Sequence, residues 1–126
     1  MIEFESYKQD KESPIYLQLV NHIKSCIASG NAKDGEELPS RRWLSARLGI
    51  NPNTVQKAFA VLELEGLIVS KGGSGSVFTI SDETVKKLRE ELFKKELGKV
   101  ITSMKAAGIS LEDAVSILKE HWEEEK

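Results

Sequence analysis

The chain has a single cysteine among its 126 residues. Cys26 can form no internal disulfide, which excludes a disulfide framework and fits a reducing cytoplasm. It sits among apolar residues at helical spacing, so a buried structural thiol is expected rather than a reactive one. Histidine is nearly as scarce: His22 and His121 are far apart, and no His/Cys/carboxylate spacing suggests a metal site. No run of about 18 apolar residues occurs, so no transmembrane helix is expected. The opening MIEFESYKQDKE lacks a basic head and apolar core, and no secretory leader is expected from it. The glycine cluster at Gly72-Gly73-Ser74-Gly75 does not fit the GxxxxGK[ST] phosphate loop, and no helix starts directly after it. No nucleophile elbow is present, and the acidic pairs Glu90-Glu91 and Glu112-Asp113 read as solvated helix faces or first-turn acids. No catalytic residue, cofactor or metal is expected, and the chain does not read as an enzyme.

A basic excess is also missing. Lys and Arg number 18 against 20 Asp and Glu, for a net charge of −2. The distribution says more than the sum. Between Pro39 and Ile80, Arg41, Arg42, Arg47, Lys57 and Lys71 face only Glu63 and Glu65. Acid is concentrated in the N-terminal arm and the C-terminal third. Nucleic acid needs positive potential where its phosphates sit, and that segment supplies it.

Periodicity orders the chain. Residues 1–12 read as a loose arm. Ser13 offers an N-cap with Pro14 at the first helical position, and Tyr16, Leu19, Val20, Ile23 and Ile27 give an amphipathic helix closed by Gly30. A polar loop, NAKDGEE, leads to a short helix capped by Ser40, with Trp43, Leu44 and Leu48 inward and a turn at Gly49. Asn51 caps a third helix with Pro52 at its first position; Val55, Ala58, Phe59 and Leu62 face inward and Gly66 stops it. Leu67-Ile68-Val69 and Val77–Ile80 read as two strands around the glycine turn. From Ser81 a long helix is expected, with Gly98 as a bend or close-packing point and Gly108 as its end. Ser110 caps a last helix bearing Leu111, Ala114, Val115, Leu118 and Trp122, the tryptophan being either an interface anchor or a core residue. The fold class is mainly α with a small β-wing (α+β): a winged helix-turn-helix over residues 1–80, then a two-helix appendage over 81–126.

A helix-turn-helix places the start of its second helix against DNA bases. Asn51, Asn53, Thr54, Gln56 and Lys57 stand there, small or polar side chains suited to base edges and phosphates. Taken alone, Asn51-Pro52 is a good cap and Gln56 and Lys57 are solvated; beside a second helix and a wing, DNA contact is the stronger reading. Arg41 and Arg42 lie in a helix first turn, where cations gain nothing from the dipole; phosphates explain them, and the alternative is bridging to Glu36 or Glu37. Lys71 and Gly73 suit a wing tip that approaches the backbone closely. Two helices of about 45 residues enclose no drug-sized pocket by themselves, so their apolar stripes pack on the DNA-binding part, on each other or on a second copy; a dimer seam is the expected reading and an intramolecular brace the alternative.

These blocks resemble a known family. Leu38-Pro39-Ser40-x-Arg42-x-Leu44, Leu48-Gly49-Ile50-Asn51-x-Asn53-Thr54-Val55-x-x-Ala58, Leu62-Glu63-x-Glu65-Gly66-Leu67-Ile68 and Gly73-x-Gly75-Ser76-Val77-Phe78 are similar to the winged helix-turn-helix of GntR-family bacterial regulators. Pro14-Ile15-Tyr16-x-Gln18-Leu19 is similar to that family's first helix, and the short tail resembles its YtrA-like subfamily. The resemblance implies a cytoplasmic homodimeric repressor on palindromic operator DNA, often controlling its own operon and neighbouring transporter genes. It implies DNA contact by Arg42, by Asn53, Thr54 and Gln56, and by Gly73 at the wing. Trp43 stands where a glutamate is common, Pro52 and Gln56 where some members carry arginine, and Gly72 where a wing arginine is frequent. Two rivals remain open: a protein-docking winged helix, and a regulator released from DNA by a small-molecule effector at the dimer seam.

Overall fold

The computed structural model describes residues 2–5, 7, 9, 13–72 and 75–124. Its elements run α1 (Ile15–Ala28), α2 (Arg41–Leu48), α3 (Pro52–Leu64), β1 (Ile68–Ser70), β2 (Ser76–Phe78), α4 (Asp82–Ala106) and α5 (Leu111–His121). The chain divides into two compact units, Met1–Glu90 and Glu91–Lys126.

In the first unit, the apolar stripes of α1 and α3 face each other. Leu19, Val20, Ile23 and Ile27 from α1 and Val55, Ala58, Phe59 and Leu62 from α3 are buried in one cluster, with Leu44, Leu67, Ile68 and Phe78. Helix α2 joins that cluster mainly through Leu44, the one residue it buries fully. Ser40 caps α2, its Oγ accepting from the Trp43 amide at 3.0 Å. Gly49 ends it in the left-handed region at φ 66°, the conformation a chain needs to turn from one helix into the next without Cβ strain. Strands β1 and β2 pair antiparallel, Ile68 opposite Phe78, Val69 opposite Val77 and Ser70 opposite Ser76.

Several expectations change. Trp43 does not face inward: half of its surface is exposed. Leu44 and Leu48, four apart, define the buried side of α2, and Trp43 lies about 100° around from Leu44. Ser13 does not cap α1. Pro14 occupies the N-cap position without a side-chain bond, and its carbonyl accepts from the Leu17 and Gln18 amides. Part of the polar loop before α2 lies along the outer edge of β2: Leu38 N–H donates to Ser76 O, Phe78 N–H to Glu36 O and Gly35 N–H to Phe78 O, at 2.9–3.0 Å. The arm expected to be loose buries Ile2, and Phe4 and Tyr7 pack their rings against His22, whose Nε2–H donates to the Glu3 carbonyl at 2.7 Å. Cys26 is buried, as expected, and burial pushes its thiol pKa up. Helix α4 runs unbroken through Gly98 for 25 residues. Its first turns belong to the first unit, where Leu88 is buried and the Arg89 Nε–H donates to Ala28 O at 3.0 Å.

In the second unit Ser110 caps α5, its Oγ accepting from the Asp113 amide at 3.1 Å. Leu111, Val115, Leu118 and Trp122 recur at helical spacing and are all exposed, Leu111 at 80% and Trp122 at 72%.

Candidate nucleic-acid interface

The N-terminal end of α3 is built by its own sequence. Asn51 Oδ1 accepts from the Asn53 amide at 2.8 Å, and the Asn51 carbonyl takes the Thr54 and Val55 amides. Pro52 follows at the first helical position, where a missing N–H costs nothing. Burying Val55, Ala58, Phe59 and Leu62 turns the opposite face outward, so Asn53, Gln56, Lys57 and Ala60 form an exposed stripe spaced 3, 1 and 3. Ala60 keeps the C-terminal end of that stripe low, and a low helix surface can lie close to another molecule.

Two aromatic rings hold two of the cations beside this face. The Arg41 guanidinium lies 5.9 Å from the centroid of Phe59 in α3, and the Lys57 ammonium sits 4.1 Å from the centroid of Tyr16 in α1. Arg41 is half-buried and Arg42 exposed. Among the described residues neither forms an ion pair with Glu36 or Glu37. The acidic residues of the segment are engaged away from the stripe. Glu65 pairs with Lys24 at 2.8 Å, and Glu63 Oε1 accepts from the Ser70 amide at 3.1 Å. That second bond also ties the end of β1 to α3. The Lys71 amide closes the hairpin onto Gly75 O at 2.9 Å, leaving its side chain exposed beyond the strand.

The candidate residues therefore fall into two places. Arg41, Arg42, Asn51, Asn53, Thr54, Gln56 and Lys57 sit on the packed pair α2–α3, and Lys71 stands at the hairpin linked to α3 through Glu63. Gly73 lies outside the described residues. Reading the sequence missed the holders Tyr16 and Phe59, the Glu63–Ser70 tie and the exposure of Trp43. Only Trp43 had a signal: it is four residues before the charged Arg47 and so shares that residue's side of α2.

The arrangement has well-defined relatives. The family described as "Bacterial regulatory proteins, gntR family" matches residues 15–78. The HTH-type transcriptional repressor YtrA of Bacillus subtilis is 34% identical over 109 residues, covering 86% of this chain and 84% of the repressor. A GntR family transcriptional regulator from Listeria monocytogenes superposes with a TM-score of 0.74 at 31% identity, covering 89% of this chain and 98% of that one. The DNA-binding domain of AraR, solved in complex with its operator ORE1, superposes with a TM-score of 0.51 at 26% identity, covering 59% of this chain and 93% of that one.

Proposed function

Because this chain belongs to the GntR family of bacterial regulatory proteins, a class of DNA-binding transcription regulators rather than enzymes, we propose that it works as a cytoplasmic homodimeric repressor on a palindromic operator. One α3 enters the major groove of each half-site. The observation that carries this reading is the capped, acid-free N-terminal half of α3, whose exposed stripe is polar and flanked by ring-held cations. Gln56 pairs with an adenine edge and Asn53 with a base or phosphate. Asn51 and Thr54 stand at the helix N-terminus, where the partial positive charge of the helix dipole attracts a phosphate. Arg41, Arg42 and Lys57 hold backbone phosphates, and Lys71 with Gly73 meets the backbone beside the groove. The operator complex of the related AraR domain supports this placement.

Residues 1–80 are the DNA-binding part in this reading, and residues 81–126 provide the dimer seam. The apolar face of α5, exposed at Leu111, Val115, Leu118 and Trp122, is large for a solvated helix, and a second copy would cover it. The similarity to the YtrA repressor supports repression as the mode of action; control of its own operon and of neighbouring transporter genes is what the family resemblance implies.

Fluorescence anisotropy on DNA from upstream of the protein's own gene, against scrambled DNA at several salt concentrations, tests the proposal. Preferential binding of two protomers to an imperfect palindrome, weakening steeply as salt rises, is the expected result. Equal binding to both DNAs overturns sequence-specific repression. Failure to bind either at low salt favours a protein-docking winged helix, and specific binding that a metabolite abolishes adds an effector at the seam.

A further inference from the structure

We propose that Trp43 is itself a DNA-contacting residue, its indole lying on the sugar–phosphate backbone beside the phosphate held by Arg42. The proposal rests on the DNA reading of α3. Trp43 is half exposed although it is one of only two tryptophans in the chain. Its position is firmly set: its amide donates to Ser40 Oγ at 3.0 Å, which fixes the first turn of α2. Exposed Arg42 precedes it, exposed Arg47 lies one turn further along the same face, and the first turn of α2 contains no acid.

An apolar plane between two cations suits one partner well. Duplex DNA presents phosphates alternating with the apolar faces of deoxyribose. An indole offers a flat apolar surface and one N–H donor, which together match a sugar and the phosphate next to it. The backbone is the site rather than the bases, because the first helix of a helix-turn-helix crosses the backbone while the second enters the groove. An acidic side chain here would repel phosphate; an indole adds contact area without adding charge.

The absence of charge makes the role testable. In the full chain carrying Trp122→Phe, a conservative change in the proposed seam whose dimeric state and DNA affinity are checked first against the parent protein, Trp43 is the sole tryptophan emitter. Titration with the upstream DNA fragment should shift its emission to the blue and reduce acrylamide quenching about twofold as the ring leaves water. In anisotropy, Trp43→Ala should weaken binding about tenfold and leave the slope of log K against log salt unchanged. Arg42→Ala should instead flatten that slope by about 1. Trp43→Phe should recover part of the loss. Unchanged emission and quenching on DNA that the protein binds, or wild-type affinity in Trp43→Ala, overturns the proposal and leaves the α3 reading standing. If the parent protein binds no DNA at all, both fall together. Should Trp43→Ala fold poorly, the quenching measurement on the Trp122→Phe protein decides alone.

Discussion

Replacing Leu44 with alanine should cost this protein a large share of its stability, and replacing Leu64 should cost almost nothing. Leu44 is 0% exposed and is the only residue of the eight in α2 that is fully buried; Leu64 is 89% exposed near the end of α3. Removing a buried leucine side chain loses its transfer free energy and leaves a cavity, about 3 kcal/mol within a usual range of about 2–5. A unit the size of Met1–Glu90 is held by about 5–13 kcal/mol in total. With a urea m-value of about 1–1.5 kcal/mol/M, Leu44→Ala should lower the midpoint by about 2–3 M. Leu64→Ala removes no buried surface and introduces a slightly better helix former, so its change should stay within about 0.5 kcal/mol. Urea melts of the full chain at one protein concentration, followed by far-UV circular dichroism, measure both. Equal midpoints for the two variants, or a Leu44→Ala shift below about 0.5 M, would refute the claim that one side chain anchors α2.

The other predictions concern DNA and the thiol. Arg42→Ala should weaken binding on every DNA sequence by a similar factor, read by anisotropy on specific and scrambled fragments. Gln56→Ala should cost about 1–3 kcal/mol at particular base pairs and nothing elsewhere, read by competition with single-base operator variants; an unchanged sequence preference would remove its assigned role. Burial raises the Cys26 pKa above its ordinary 9.0, so the folded state favours the protonated thiol. That contribution to stability is fully present below pH 9.0 and is lost as pH climbs through the higher folded value. Iodoacetamide should therefore modify Cys26 far more slowly in the native chain than in urea, and Cys26→Ala should soften the alkaline decline in stability.

Much of the fold was legible because local rules and the global pattern agree. Ser40, Asn51-Pro52 and Ser110 announce helix starts, and the α1 and α3 stripes name their own buried residues. What escaped depends on partners distant in sequence. Residues 35–37 end a polar loop, and the stretch 35–38 carries no strand signal of its own; it pairs because β2 offers an open edge. Ile2, Phe4 and Tyr7 are isolated apolar residues in an acidic arm, and only His22 and the core cluster around α1 give them something to pack against. Gly98 was weighed as a bend, yet a penalty of about 1 kcal/mol is too small to break a 25-residue helix. Trp43 was misplaced by its hydrophobicity, when the Leu44–Leu48 spacing already set the buried face of a two-turn helix. In the candidate interface the polar residues of α3 could be read directly. Their holders, Tyr16 for Lys57 and Phe59 for Arg41, required three dimensions.

Backbone amide shift mapping by NMR during titration with the operator fragment tests the central claim most directly, that the exposed face of α3 reads DNA. The largest shifts should fall at Asn51 and residues 53–57, with a second group at residues 41–43 and a third at residues 70–72, while the buried amides of α1 stay still. Shifts concentrated on α5, or spread evenly over the surface with α3 unmoved, would contradict it.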